Sequence, residues 1–201
     1  MDYAISIIVS YLVGSISFSY IFTKKIKKVD IRQLGSGNAG ATNTLRVLGK
    51  GPAITVLLLD ILKGVFAVLL GEYLAGPGLV PALAGLAAIL GHNWPIYYGF
   101  RGGKGVATTI GVLATLMFVP TVVGGIMAIL TIVVSRYVSL GSLVFMLATT
   151  ASSAFLFIPF NYPVEYFYFS WIVTALSIWR HRANINRLIR GTESKIGSKD
   201  N

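Results

Sequence analysis

The stretch PAITVLLLDILKGVFAVLLG, Pro52–Gly71, is long and apolar enough to form a membrane-spanning helix. About 20 helical residues cover roughly 30 Å, which is the thickness of the hydrocarbon core of a bilayer. The composition agrees, because 55% of the 201 residues are hydrophobic and only 12% are charged. Such a composition is typical of a polytopic membrane protein and argues against a soluble domain.

Apolar segments on both sides of this helix predict further spans at Tyr3–Thr23, Leu79–Tyr98, Val138–Ile158 and Pro163–Trp179. The segment Val106–Ser135 is too long for one untilted crossing, because about 30 helical residues extend over about 45 Å. We therefore expect this segment to turn back at Pro120 or at Gly124-Gly125, which makes two short arms and seven spans in all.

The distribution of charge supports seven spans. With the N-terminus outside, all loop lysines and arginines fall on the cytoplasmic side, and the outer loops carry only Asp2, Glu72 and Glu165. If Val106–Ser135 crossed only once, Arg136 and the basic C-terminal tail would lie on opposite sides, against the positive-inside rule.

The predicted fold is an all-α integral membrane protein with seven transmembrane segments, the fourth and fifth short, and a cytoplasmic C-terminus. Residues 1–196 form one polytopic membrane domain, and residues 197–201 form a disordered tail or a vector remnant. We interpret the formal net charge of +10 mainly as a result of the membrane topology, which places basic residues on the cytoplasmic side. Binding of anionic lipid headgroups or substrates is its second use. Nucleic acid is not an expected partner, because no basic, aromatic stripe lies on a soluble domain.

A polar, glycine-rich loop, LGSGNAGATNTLRVL (Leu34–Leu48), follows the first predicted span. Its glycines let backbone N–H groups converge, its Ser and Asn side chains add hydrogen bonds, and its arginine adds a fixed charge. This combination suits phosphate. The predicted ligands are Gly35, Ser36, Gly37, Asn38, Gly40, Asn43 and Arg46. Ala41–Leu48 is predicted to form a short helix, and the alternative is a loop that only connects spans.

A second motif, HNWPIYYGFRGGKG (His92–Gly105), ends the third predicted span. His92, Gly103 and Lys104 are its candidate substrate-binding residues, because glycine permits close approach and lysine supplies a point charge for phosphate. The motif is not a Walker A loop, since Gly105 stands where that pattern requires Ser or Thr. The alternative is a basic turn with an interfacial aromatic belt.

A third motif, HRANINRLIRGTE (His181–Glu193), begins the C-terminal tail. At about 100° per residue, His181 and Asn184 share the apolar stripe of a helix with Ile185 and Leu188. Both polar side chains are therefore predicted to face inward. The alternative is an amphipathic tail that lies on anionic lipid through its arginines.

Four further polar positions lie inside predicted spans. Asp60 and Lys63 are neighbours on one helix face, where each is expected to neutralise the other or a further group. They fit a structural intramembrane ion pair as well as a catalytic role. Ser142, near the inner end of the sixth segment together with Ser139, is a further candidate for substrate binding.

The inventory of residues excludes several chemistries. The chain has no cysteine, so it has neither a thiolate nucleophile nor a cysteine metal site. It lacks a G-x-S-x-G nucleophile elbow, and neither histidine is followed five positions later by aspartate. A site rich in anion-binding donors and poor in nucleophiles suits phosphorylated substrates with an activated leaving group.

Together, GSGNAGATN with Arg46, HNWPIYYGFRGGKGVAT and HRANINRLIRGTE resemble the bacterial membrane family of acyl-phosphate:glycerol-3-phosphate acyltransferases (the PlsY family). The resemblance covers residues 1–196. It implies acyl transfer from acyl phosphate to the 1-hydroxyl of glycerol 3-phosphate, giving lysophosphatidate and phosphate in the first acylation of phospholipid synthesis. It also implies a bacterial inner-membrane enzyme with its active site facing the cytoplasm, no metal or cofactor, and no obligatory protein partner.

Carried over to this chain, the resemblance places Ser36 and Arg46 in the catalytic, phosphate-binding site and Lys104 at glycerol 3-phosphate. It makes His181 and Asn184 essential for activity. In the mechanism that we infer, backbone amides of Ser36–Gly40 hold the acyl phosphate, and His92 helps to orient the acceptor. His181 is the candidate general base, because histidine titrates near neutrality; in the alternative a substrate phosphate takes the proton.

A covalent role for Ser36 is disfavoured, because no base adjoins it in sequence. The rival classes of function are a small transporter or flippase for phosphorylated solutes and a purely structural membrane scaffold. Transport would account for Asp60 and Lys63, but we find no clear internal repeat of the kind common in transporters. A scaffold would leave three dense clusters of hydrogen-bond donors without a role.

Overall fold

The computed structural model describes residues 2–197, with the backbone alone at Asp2, so most of the predicted tail at 197–201 lies outside the described residues. Within this range every regular element is helical, as predicted, and no β-strand occurs. Short 3₁₀ turns lie at Ile31–Gln33 and Ile96–Tyr98. The α-helices are α1 (Asp2–Gly14), α2 (Phe18–Lys27), α3 (Ala41–Leu48), α4 (Lys50–Ala75), α5 (Leu79–Asn93), α6 (Val106–Leu116), α7 (Phe118–Ser135), α8 (Val138–Leu156), α9 (Val164–Arg180) and α10 (Arg182–Ile189).

Five helical segments in the described part of the chain are long and apolar enough to cross a bilayer. They are Tyr3–Lys27, Lys50–Ala75, Leu79–Tyr98, Phe118–Ser135 and Val138–Leu156. Large apolar side chains on α4 and α7, such as Leu62 and Val134, are exposed, whereas serines of α1 and α8 are buried. This pattern fits a protein whose outer surface contacts lipid. The seven crossings and their orientation stay predictions.

The first predicted span is two helices rather than one. The chain leaves helical conformation after Gly14, and α2 begins at Phe18 with Ser17 as its N-cap. The interruption lies where the sequence carries Ser15, Ile16 and Ser17. Ser and Thr compete with the backbone for hydrogen bonds and so favour helix ends over helix interiors. The break leaves the Ile16 carbonyl outside the helical hydrogen-bond ladder, where another group can use it.

The segment 106–135 is interrupted at Met117, with φ −144° and ψ 76°, rather than at Pro120 or Gly124-Gly125 as predicted. Pro120 lies in the first turn of α7, where a missing N–H costs nothing, so the interruption falls before the proline. As a result α6 has 11 residues and α7 has 18. The prediction of two short arms is therefore right for α6 and wrong for α7.

The chain divides into two compact units, which we call the N-terminal unit (to Leu116) and the C-terminal unit (from Met117). In the N-terminal unit, α4 packs against α1, α5 and α6. A Cβ at Gly14 would overlap the Ala88 backbone, and one at Gly64 would overlap the Thr108 carbonyl. Such close helix packing through small residues is common in membrane proteins.

In the C-terminal unit, α8 packs against α7 and α9, and α10 contacts both α8 and α9. Thr150 Oγ1 joins α8 to α9: it donates to the Ser170 carbonyl at 3.1 Å and lies 2.7 Å from Thr174 Oγ1. These contacts give the buried hydroxyl groups hydrogen-bond partners that neither lipid nor apolar side chains can supply. The helix that ends directly before His181 is thus held against α8.

Candidate active site

Asn43 braces the glycine-rich loop from within. It lies in the first turns of α3, a helix with the predicted bounds, and is 1% exposed. Its Oδ1 accepts from the Ser36 N–H at 2.9 Å, and its Nδ2 donates to the Leu34 carbonyl at 2.9 Å. A Cβ at Gly35, where φ is 55°, would overlap Asn43 Oδ1. Asn43 was predicted to bind substrate, but here its amide group is engaged by the loop itself.

The backbone of this loop is largely satisfied by its own atoms. The N–H of Ser36 donates to Asn43, that of Gly37 to the Leu34 carbonyl at 3.0 Å, and that of Gly40 to the Asn38 carbonyl at 3.1 Å. Three of the five amides of Ser36–Gly40 are thus engaged within the loop, and phosphate binding by this segment stays a prediction. Tight turns at the glycines fold these donors back onto the loop.

The side chains that the loop presents outward are those of Ser36 and Arg46, which are both exposed, while Asn38 is half-buried. Arg46 extends from α3, three residues after Asn43. A hydroxyl and a guanidinium on one short, braced segment are suitable ligands for a phosphoryl group. These two exposed side chains are therefore the candidate ligands for the anion binding predicted for this motif.

Two backbone hydrogen bonds close the turn of the second motif. The Gly103 N–H donates to the His92 carbonyl at 3.1 Å, and the Gly102 N–H donates to the Asn93 carbonyl at 3.2 Å. A Cβ at Gly103 would overlap His92 Nε2 and come within 2.6 Å of the Ala39 carbonyl oxygen. The first and second motifs therefore meet at Gly103, and the half-buried Lys104 follows it directly.

Asp60 and Lys63 form the predicted ion pair, with 2.7 Å between Oδ1 and Nζ and both side chains 2% exposed. Sequence reasoning missed the third member of this cluster. Lys63 Nζ lies 2.9 Å from His92 Nδ1 and donates to the Ile16 carbonyl at 3.0 Å. The intramembrane charges are thus connected to the second motif through the ring of His92.

Arg32 ties the entry of the first motif to the second, a link with no sequence signal beyond the short spacing of Asp30 and Arg32. The guanidinium pairs with the Asp30 carboxylate at 2.6 Å and donates to the Tyr98 carbonyl at 2.7 Å. The hydrogen bonds from Arg32 lower the pKa of Asp30 from its ordinary value. Arg32 therefore acts as a brace between two loops.

In the C-terminal unit, His181 and Asn184 are buried as predicted, at 2% and 6% exposure. His181 is the residue between α9 and α10, and its Nδ1 lies 2.8 Å from the Ser177 carbonyl oxygen. A carbonyl oxygen can only accept, so Nδ1 carries the proton of the neutral ring and the lone pair is on Nε2. This tautomer is the one that a base acting through Nε2 requires.

Glu193 is the organising residue of the third motif, and sequence reasoning did not single it out. Its Oε1 accepts from Asn184 Nδ2 and from Ser139 Oγ, both at 2.6 Å, and its Oε2 accepts from Arg187 Nε at 2.7 Å. Its side chain is 6% exposed. A single carboxylate among basic residues at the end of a motif was the available signal.

The hydrogen bonds to Glu193 change its ionisation. Partial burial removes water and by itself would raise the pKa of the carboxyl group. Hydrogen bonds from Ser139, Asn184 and Arg187 outweigh this desolvation and lower the pKa below the ordinary 4.5. The charged carboxylate is thus the form that holds Asn184 in place.

Ser142 is also buried, but its Oγ donates to the Val138 carbonyl at 2.9 Å within α8.

A family model described as glycerol-3-phosphate acyltransferase matches residues 4–191. The chain belongs to the glycerol-3-phosphate acyltransferase family. Proteins of that name from Shouchella clausii and Halalkalibacterium halodurans are 62% and 66% identical to it, over 96% of this chain and 96% and 95% of theirs. The family resemblance inferred from the three motifs is thereby confirmed.

Solved structures extend this result to three dimensions. The crystal structure of PlsY (YgiH), an integral membrane glycerol 3-phosphate acyltransferase, in its glycerol 3-phosphate form is 39% identical, with a TM-score of 0.90. The alignment covers 98% of this chain and 96% of that one. The lysophosphatidic acid form gives 37% identity and a TM-score of 0.87. The present chain is therefore an integral membrane acyltransferase of this family.

Replacement of Gly103 by alanine tests the close approach between the two motifs of the N-terminal unit. The added methyl would overlap His92 Nε2 and the Ala39 carbonyl, so the turn must open. We expect acyltransferase activity to fall by at least about tenfold, since misplacement of binding groups by about 1 Å costs up to 100-fold. Gly99→Ala in the same loop is the control for backbone freedom, because a Cβ there meets open space although φ is 64°. Equal losses in both variants would contradict a role for the His92 contact.

Proposed function

We propose that this acyltransferase moves an acyl chain from an acyl phosphate to the 1-hydroxyl of glycerol 3-phosphate. The products are 1-acylglycerol 3-phosphate and inorganic phosphate. The observation that carries the acceptor is the similarity to PlsY, whose structures are described as glycerol 3-phosphate and lysophosphatidic acid forms. Those two molecules are the acceptor and the product of one acylation.

The acyl-phosphate donor is implied by the family resemblance, and the groups that the chain offers support it. An acyl phosphate carries its own leaving group, so its reaction needs charge stabilisation and positioning more than an enzyme nucleophile. The chain has no cysteine. It does supply an exposed hydroxyl and guanidinium at Ser36 and Arg46, on the loop that Asn43 braces. We assign these two side chains to the phosphoryl group of the donor.

The acceptor is assigned to the second motif. Lys104 supplies a positive charge directly after the Gly102-Gly103 turn, and His92 Nε2 faces Gly103. The phosphate of glycerol 3-phosphate needs a cation and hydrogen-bond donors, and this turn offers both. Asn43, Gly35, Gly37 and Gly40 contribute by shaping the loop that meets this turn.

In the chemical step, the 1-hydroxyl oxygen of the acceptor forms a bond to the acyl carbon while the bond from that carbon to the phosphate oxygen breaks. Phosphate leaves with the electron pair of the broken bond. His181, with its lone pair on Nε2, takes the hydroxyl proton as general base. Asn184, held by Glu193 at 2.6 Å, and Ser142 are assigned to hydrogen bonds with substrate oxygens.

We also propose seven membrane crossings, with the N-terminus outside and the three motifs on the cytoplasmic side of a bacterial inner membrane. The support is the distribution of charge along the chain and the positive-inside rule. Glycerol 3-phosphate is charged and does not enter hydrocarbon, so an active site at a membrane face suits it.

The decisive experiment for the donor supplies purified enzyme with glycerol 3-phosphate and either palmitoyl phosphate or palmitoyl-CoA. We expect lysophosphatidate and inorganic phosphate in a 1:1 ratio from palmitoyl phosphate, and no product from palmitoyl-CoA. Loss of product with the Arg46→Ala variant, purified in the same way, excludes a contaminating enzyme. Lys50→Ala is a matched control that removes an exposed cation four residues away. Product from palmitoyl-CoA alone would refute the acyl-phosphate assignment.

A further inference from the structure

The N-terminal unit contains a buried charged cluster that the chemical step does not use: Asp60, Lys63 and His92. The carboxylate and the ammonium are 2.7 Å apart, and all three side chains are at most 5% exposed. Burial of an ion pair is costly and by itself is weak evidence of a stabilising role. The position of the cluster, on the side of His92 away from Gly103, suggests that it acts on the second motif.

The ammonium group of Lys63 is matched to its surroundings. It has three N–H donors and no acceptor. Its three close neighbours are Asp60 Oδ1 at 2.7 Å, His92 Nδ1 at 2.9 Å and the Ile16 carbonyl oxygen at 3.0 Å. The last of these is available because the helix is interrupted between α1 and α2. The contacts with Ile16 and His92 are hydrogen bonds, whereas the contact with Asp60 Oδ1 is an ion pair.

This arrangement determines the tautomer of His92. A nitrogen that accepts a hydrogen bond from an ammonium cannot itself carry a proton, so Nδ1 holds the lone pair. The proton of the neutral ring is then on Nε2. His92 Nε2 is the atom that a Cβ at Gly103 would overlap, so the N–H faces the Gly102–Lys104 turn.

We propose that Asp60 and Lys63 are positioning residues for the acceptor site, where they hold the His92 ring in the tautomer that presents an Nε2–H donor to the Gly102–Lys104 turn. Lys63 fixes the ring through Nδ1, and Asp60 balances the charge of Lys63 and orients its ammonium. The inference rests on the proposed function, because it takes the phosphate of glycerol 3-phosphate to bind at this turn. In metal sites, comparable outer partners of a histidine are worth 10- to 100-fold in affinity or activity.

A double-mutant cycle tests whether Lys63 acts through His92. Asp60→Asn with Lys63→Met removes both charges together, which avoids leaving one of them buried and unpaired. We expect this pair to raise KM for glycerol 3-phosphate by about 10- to 100-fold, with KM for the acyl donor changed less than about twofold. In a His92→Gln background the same pair should change KM by less than about twofold. Equal factors in the two backgrounds would overturn the proposal.

A matched control separates this effect from the loss of any lysine on α4. Lys50→Met removes an exposed lysine from the first turn of the same helix. We expect no change in KM for glycerol 3-phosphate. A rise in KM equal to that of the double variant would show a general charge effect and would refute the assignment to His92.

The tautomer itself can be observed in the unmodified protein, which keeps the proposal testable even if the variants fail to fold. The chain has two histidines, so ¹⁵N-histidine labelling gives two imidazole rings, and His181→Gln assigns them. In the wild type we expect the proton of the neutral His92 ring on Nε2. In the double variant we expect a mixture of the two neutral tautomers. A wild-type proton on Nδ1 would overturn the proposal.

These measurements distinguish the two levels of the argument. Neither the tautomer nor calorimetric binding of glycerol 3-phosphate requires an acyl donor. An enzyme that binds no glycerol 3-phosphate would refute the proposed acceptor site, whereas a proton on Nδ1 would refute only the positioning role of Asp60 and Lys63.

Discussion

Replacement of His181 by glutamine is expected to lower kcat by about 10²- to 10⁴-fold, the usual contribution of a positioned general base. Nδ1 of His181 donates to the Ser177 carbonyl at 2.8 Å, which leaves the lone pair on Nε2. Glutamine can keep one hydrogen bond of the ring but has no basic nitrogen. Steady-state kinetics with palmitoyl phosphate and glycerol 3-phosphate measure the loss, and thermal unfolding shows whether the variant is folded.

The competing mechanism has a substrate phosphate take the proton, with His181 only binding. A folded His181→Gln enzyme with near-normal kcat and a raised KM would support that mechanism and contradict the general base. Ser177→Ala is the matched control. It removes the hydroxyl 3.4 Å from Nδ1 but keeps the carbonyl that sets the tautomer, so its kcat is expected to stay within about threefold of wild type.

Replacement of Glu193 by glutamine is expected to destabilise the C-terminal unit and to lower activity together. Three donors converge on the carboxylate, from Ser139, Asn184 and Arg187. Glutamine has one acceptor oxygen, so its amide group must face at least one of these donors. Loss of buried, charge-assisted hydrogen bonds costs about 1–3 kcal/mol, and the released Asn184 no longer has a fixed position. Thermal unfolding in detergent and acyltransferase assays measure the two effects.

The ionisation of Glu193 adds a dependence on pH. Because hydrogen bonds hold the pKa of Glu193 below 4.5 in the folded protein, its charge stabilises the fold above that value, and the stabilisation is lost as pH falls through the folded pKa. Glu193→Gln should remove this part of the acid sensitivity. Glu165→Gln removes the same charge elsewhere in the C-terminal unit and is expected to leave stability and activity unchanged. Equal effects of the two variants would contradict the role of Glu193.

Features that depend on local pattern could be predicted from the sequence. Hydropathy over about 20 residues identified helical spans, and the glycine before Ala41 and after Leu48 bounded α3 correctly. Helical periodicity was enough to predict that His181 and Asn184 are buried, because positions three apart share a face. The Asp60–Lys63 pair followed from the same rule. Three motifs in order then identified the family.

Contacts between residues distant in sequence could not be predicted in this way. His92 joins Lys63 across 29 positions, Ile16 joins it across 47, and Ser139 meets Glu193 across 54. Periodicity and spacing carry no information on which helices pack together. The predicted position of the interruption between α6 and α7 was also wrong. Proline is tolerated in the first turn of a helix, so the helix breaks at Met117, before Pro120.

The sequence by itself was enough to predict the structural class, the family and the chemical character of the motifs. Hydropathy, helical periodicity and motifs can each be recognised in short stretches of sequence. The tertiary structure decided which side chains contact each other. In the folded chain Asn43 holds the glycine-rich loop, Glu193 accepts hydrogen bonds within the third motif, and Lys63 contacts His92. A hydrogen bond depends on distances below about 3.5 Å between atoms that folding brings together. Those distances are properties of the packed helices, and no local pattern contains them.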